Sequence, residues 1–130
     1  MDPASPRSPE RFIADFFTDF TAAALDSDAD PAEVVDRFHA PEVIQVADGI
    51  RLDRDRLIAH LRPVRKNLRD YRFEVHEVIA DGTRMAARLT VHATLRTTGS
   101  VATEVFLFGE FTPDGKLHRA DQLTRRVAAA

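Results

Sequence analysis

YRFEVHEVIADGTRMAARLTVHATL, Tyr71 to Leu95, decides how the chain is read. Tyr71, Phe73 and Val75 alternate with Arg72, Glu74 and His76. After the turn signal Ala80-Asp81-Gly82, Met85, Ala87, Leu89, Val91, Ala93 and Leu95 alternate with Arg84, Ala86, Arg88, Thr90, His92 and Thr94. Successive strand side chains point to opposite faces, so this period of two marks a pair of antiparallel strands joined by a turn. TTGS turns the chain again, and the stretch VFLFGEF (Val105 to Phe111) is a third strand. TPDG then leads into a fourth, from Leu117 to about Val127. VFLFGEF is apolar on both parities: Val105, Leu107 and Phe111 on one face, Phe106 and Phe108 on the other. One face can line the core, and the other needs a cover.

Before Tyr71 the period is that of helices. Ser8-Pro9-Glu10 is a start signal, with a capping serine, proline at the first helical position and an acid in the first turn. Phe12, Ile13, Phe16, Phe17 and Phe20 then form a wide apolar stripe, and the helix should end near Asp26. Asp30-Pro31-Ala32-Glu33 opens a second helix with Val34, Val35 and Phe38 on its apolar side. Glu42 to Ala47 is a short strand ending in the turn signal ADG. Asp53 or Asp55 opens a third helix with Leu57, Ile58, Leu61, Val64 and Leu68 on one side. Pro63 is expected to kink or split it. Helices first and a meander afterwards give an α+β class: three N-terminal helices on a strongly curved, mainly antiparallel sheet. Residues 1–8 are expected to be a disordered tail, 9–127 a single domain, and 128–130 a second tail.

The 130 residues suit one domain, which can bury roughly two thirds of its unfolded surface. The chain has no cysteine, so disulfides, a thiolate nucleophile and a cysteine zinc site are excluded. The net charge is −3 with both signs interspersed, which argues against a nucleic-acid partner. The basic stretch Arg62 to Arg72 reads as a solvated helix face. No apolar run approaches the roughly 20 residues of a membrane span, and no signal-peptide pattern opens the chain. A cytoplasmic protein without a membrane partner is the expectation. There is no G-x-G-x-x-G, phosphate loop, H-E-x-x-H or G-x-S-x-G, and the five histidines lack metal-ligand spacing. No metal and no cofactor is expected. General acid–base chemistry stays open, because it needs only one or two placed groups.

Three helices closing over a curved meander make a cone. Its apolar supply is Phe16, Phe17, Phe20, Ile44, Val46, Leu61, Phe73, Leu89, Val91, Val105, Leu107 and Phe111. These side chains either fill a core or line an apolar pocket with a few polar groups. RFHAPEVIQVADG, the third helix after it, and EFTPDGKLHRADQLTR together resemble the superfamily of nuclear transport factor 2, ketosteroid isomerase and the small polyketide cyclases. The resemblance covers about Pro9 to Val127 and implies a cystatin-like cone with an internal pocket. Its isomerases use an aspartate base with a tyrosine and a protonated acid as oxyanion donors. Carried over, the base falls at Val46, the second acid at Leu107 and the tyrosine near Phe17 or Phe20. All are apolar here, so that isomerase route is not expected, and the cyclases' aspartate near Leu107 is missing as well.

The closing strand remains as a source of polar groups. The resemblance sends His118, Ala120, Gln122 and Thr124 into the cone, and Leu117, Arg119, Asp121 and Leu123 outward. A slip of one residue would reverse both sets and bring in Arg119 with Asp121. His60, His118, Asp121 and Gln122 are therefore the catalytic candidates. Tyr71, the only tyrosine, could place a hydroxyl at the rim. With Leu107 facing inward, Phe106 and Phe108 project from the convex side with Leu117 and Leu123, bordered by Arg88, Thr90, His92, Glu104 and Glu110. Apolar area with a charged rim suits a partner, and family members commonly pair back to back there, so a homodimer is expected. Three functions stay open: an enzyme acting on an apolar cyclic or polyketide-like substrate, a non-catalytic binder of an apolar ligand, and a protein-interaction module.

Overall fold

The computed structural model describes residues 7–128. Helix α1 spans Pro9–Leu25, α2 Pro31–Phe38 and α3 Arg54–Asn67. The strands are β1 (His39–Ala47), β2 (Ile50–Leu52), β3 (Leu68–Asp81), β4 (Arg84–Leu95), β5 (Gly99–Phe111) and β6 (Leu117–Val127). Each helix starts where its capping residue places it. The side chains of Ser8, Asp30 and Asp53 accept the backbone N–H of Arg11, Ala32 and Arg56, satisfying donors with no partner inside the helix. Residues 1–6 and 129–130, most of the two expected tails, lie outside the described residues.

Pro63 does not split α3. It lies on the solvent side with Ala59 and His60, so water can serve the Ala59 carbonyl that the missing N–H leaves free. Asp48 and Gly49 both have positive φ (51° and 84°), which is the two-residue hairpin turn whose twist matches paired strands. That turn adds β2, a strand absent from the expected set.

The sheet has six strands in the order β2-β1-β6-β5-β4-β3. Only β1 and β6 run parallel. Three of its four irregularities control which side chains enter the cone. In β1 the pairing jumps from His39 with Leu117 to Ile44 with Arg119. Pro41, which has no N–H for a ladder, sits in that arch. Beyond it Val43 is buried and Gln45 pairs with the inward Ala120, whereas Ile44 pairs with Arg119 and Val46 with Asp121 on the outer face. Ile44 and Val46 therefore do not line the cone, because the arch resets the parity of the strand. In β6 the pairing shifts between Glu110 with Arg119 and Phe111 with Leu117. This shift turns Leu117 into the core, where it is 4% exposed, and leaves His118 at the rim. A third shift, between Val75 and Glu77 in β3, keeps Glu77, Ile79 and Asp81 in line with Arg88, Ala86 and Arg84.

Two apolar clusters hold the layers together. Phe12, Ile13 and Phe16 of α1 pack on Met85, Ala87, Leu89, Val105, Leu107, Phe111, Leu117 and Ala120. Ala24, Val34, Val35, Val43, Leu57 and Leu61 join the three helices to β1.

Candidate functional site

Among the described residues, a larger and a smaller hollow lie between the helices and the sheet. The larger, of about 220 Å³, is bounded by α1, α3, β3 and β4. Phe20, Ala24, Leu57, Leu61, Val64, Leu68, Phe73 and Val91 form its walls, with Thr21, His60 and Tyr71 as its only polar members. The smaller, of about 50 Å³, is lined by Phe16, Phe17, Phe20, His39, Gln45, Leu107, Phe111, Leu117 and Gln122. Phe20 borders both, so its ring forms the partition. Phe38, with ring centres 5.4 Å apart, and His39, at 4.9 Å, hold it in place.

His39 was not among the catalytic candidates. It follows Val35 by one helical turn, so it continues the apolar stripe of α2 into the cone. Its ring is 3% exposed, and Nδ1 lies 2.9 Å from the carbonyl oxygen of Val35. A carbonyl can only accept, so Nδ1 carries the hydrogen and the neutral ring keeps its lone pair on Nε2. Burial lowers the His39 pKa below its ordinary value; the Val35 carbonyl and the charge of Asp36 oppose that shift. Across the hollow, the side-chain amide of Gln45 donates to Oε1 of Gln122 at 2.9 Å. Only the spacing of His39 from Val35 was legible in the chain. The two glutamines are 77 positions apart and meet through the β1–β6 pairing.

The other candidates separate. Leu61, Tyr71, Phe73 and Val91 line the larger hollow, Phe16, Phe17, Leu107 and Gln122 the smaller, and Phe20 both. His60 sits at the exposed edge of the larger one. Leu89 and Val105 are solid core. The hydroxyl and N–H of Thr124 donate to the carboxylate of Asp48, at 2.6 and 2.8 Å, which lowers the Asp48 pKa and ties the closing strand to the β1–β2 turn. Thr124 is thus engaged at the turn and lines neither hollow. His118 pairs with Glu42 at 3.3 Å, away from the hollows. Asp121 and Arg119 are exposed on the convex face, so the reversed register does not occur. No group of three or more His, Cys, Asp or Glu among the described residues is placed to hold a metal ion.

On the convex face Phe106 is 42% and Phe108 70% exposed, with Leu123 beside them and Ile79 added from β3. Leu117 does not belong there, because the β6 irregularity buries it. Thr90 and Glu104 lie on this face but are covered by the chain's own side chains. Thr90 is hydrogen-bonded to His76. Glu104 accepts from Arg125 at 2.6 Å and from Arg88 at 3.2 Å, and these contacts lower its pKa. His92 lies 2.8 Å from Glu74.

Three helices over a curved six-stranded sheet, with hollows between the layers, define a cone of the nuclear transport factor 2-like class. Within that class the chain belongs to the SnoaL-like family, whose domain profile matches residues 13–120. An uncharacterized protein of Schizosaccharomyces pombe is 29% identical over 115 residues, covering 88% of this chain and 84% of the relative. Among solved structures, IdmH of Streptomyces antibioticus, described as a candidate polyketide cyclase, superposes with a TM-score of 0.67 at 15% identity, over 91% of this chain and 92% of its own. AclR of Streptomyces galilaeus, described as a candidate hydroxylase, gives 0.64 at 19% identity, over 91% of each chain. At such identities the likeness shows the fold. No helix among the described residues is long and apolar enough to cross a membrane.

Proposed function

We propose that this protein is a small-molecule enzyme that takes an apolar cyclic, polyketide-like substrate into its cone. The carrying observation is the hollow of about 220 Å³, walled by aliphatic and aromatic side chains with few polar groups, which is the make-up of a ligand site. The solved structural neighbour described as a candidate polyketide cyclase supports the substrate class. The aspartate–tyrosine set of the isomerases has no counterpart: Leu107, Phe17 and Phe20 are apolar, and Val46 faces out of the cone. Its chemistry therefore draws on other groups. A binder without turnover shares the same hollow, and turnover separates the two. Titration with 2-tetralone, a bicyclic aryl ketone, followed by NMR should give saturable shifts at Leu61, Tyr71 and Phe73. Leu61→Trp, which fills the hollow, should abolish them. No saturable shift at these residues would overturn the reading.

The second partner in this reading is another copy of the chain, and neither nucleic acid nor membrane is part of it. Across the convex face Val46, Asp121, Phe108, Ala86 and Ile79 stand side by side, next to a row of Leu123, Phe106, Arg88 and Glu77. The small Ala86 leaves a dimple bordered by Ile79, Phe106 and Phe108. A protruding ring beside a dimple is self-complementary about a two-fold axis, and the border of Arg84, Glu110, Arg119 and Asp121 carries both signs.

A further inference from the structure

We infer that His39 is the general base of the cone, and that Gln122, braced by Gln45, holds the substrate's carbonyl oxygen. The inference rests on the reading that an apolar ligand enters the cone. It adds the atoms that would act on that ligand, in a site where no carboxylate is present.

The first support is the state of His39. The Val35 carbonyl fixes the hydrogen on Nδ1, which leaves Nε2 as the proton acceptor. Nε2 makes no hydrogen bond, yet no side-chain nitrogen or oxygen among the described residues is both sealed and without a partner. Nε2 is therefore not sealed, and the small hollow that His39 lines is the space this assignment gives it. Burial favours the neutral ring, the form that carries the free lone pair.

The second support is the amide pair. The oxygen of Gln122 is occupied by Gln45, which fixes the orientation of the Gln122 amide and leaves its two N–H groups as donors in the same small hollow. If the two amides exchange roles, the accepting one still presents an NH₂ group. The remaining walls are apolar, so these donors act in a medium of low polarity, where they weigh most.

An imidazole acceptor and an amide donor in one hollow suit proton transfer at the carbon beside a ketone. Nε2 takes the α-proton, and the C–H electron pair becomes the new C=C bond. The carbonyl π pair moves to oxygen, which the Gln122 N–H groups receive. The imidazolium then returns the proton to the same or another carbon, or to the oxygen, so no further reactant is needed. Phe20 stands between the two hollows, so in this assignment its ring must turn aside for a ketone seated in the larger one to direct its carbonyl into the smaller.

The test is exchange of the α-protons of 2-tetralone in D₂O, followed by NMR beside the binding titration. The wild-type protein should accelerate exchange over buffer. His39→Asn can keep the N–H donation to Val35 but carries no basic nitrogen. It should lose the acceleration by about a hundredfold while still binding the ketone. Gln122→Leu should lose roughly tenfold to a hundredfold. The exposed histidines are intact in both variants, so the difference isolates the hollow. Binding without acceleration, or an unchanged rate in folded His39→Asn, overturns the assignment of the base and leaves the ligand site standing. Absence of binding overturns the ligand site, and the base with it.

Discussion

His39 and Phe20 show how much single side chains decide here. A histidine whose pKa is lowered by folding binds fewer protons folded than unfolded. Stability is therefore greatest above its ordinary value of 6.5 and declines as pH falls below it. The carboxylates whose values are lowered, among them Asp36, Asp48 and Glu104, start from 3.8 or 4.5 and act only at lower pH. Denaturant unfolding at pH 7 and pH 5.5 should show a loss of stability at the lower pH, and His39→Asn should reduce that loss. An equal loss in the variant would count against a neutral, buried ring. Phe20→Ala should join the two hollows and shift ligand preference towards larger rings. Because Phe20 is only half-buried, its cost should fall below the ~3–5 kcal/mol of a fully buried Phe→Ala change.

Among the elements, α3 secures the helical layer. Helix α1 has no basic residue in its last turn, and Arg65 of α3 supplies the missing cation. Its Nε donates to the carbonyl of Ala24 at 2.7 Å, and Nη2 to that of Ala29 at 2.8 Å, so one guanidinium ties the end of α1 and the α1–α2 loop to α3. Arg65→Met keeps the stem but loses both bonds, and should cost about 1.5–3 kcal/mol in chemical denaturation. A change within a few tenths of a kcal/mol would mean that water replaces the guanidinium at both carbonyls. The larger hollow lies between these helices and β3, so the variant should also weaken ligand binding.

For the whole molecule, the convex face is the surface on which association is predicted. Burying an exposed phenylalanine contributes roughly 1.5–3 kcal/mol, so Phe106 and Phe108 together favour a two-fold contact. Sedimentation at micromolar concentration should give a dimer, and Phe108→Asp should give a monomer with its fold intact by circular dichroism. A wild-type monomer, or a variant of unchanged mass, would exclude this contact. Because the hollows open on the other side of the sheet, the Phe108→Asp monomer should still bind 2-tetralone.

The α+β order, the three helix starts and the inward turn of Leu107 were legible from local rules. Ser8, Asp30 and Asp53 cap within one turn, and the switch of period at Tyr71 needs only neighbouring residues. The inner surface of β1 and β6 was not legible. Facing along a strand is counted residue by residue, so one irregularity reverses every position beyond it. The arch at Pro41 exchanged Val46 for Gln45, and the shift beside His118 exchanged that histidine for Leu117. Such irregularities are set by what a strand meets across the sheet, and so is the convergence of His39, Gln45 and Gln122. Caps, turns and periods act over a few residues, whereas a shared hollow depends on contacts between segments far apart in the chain.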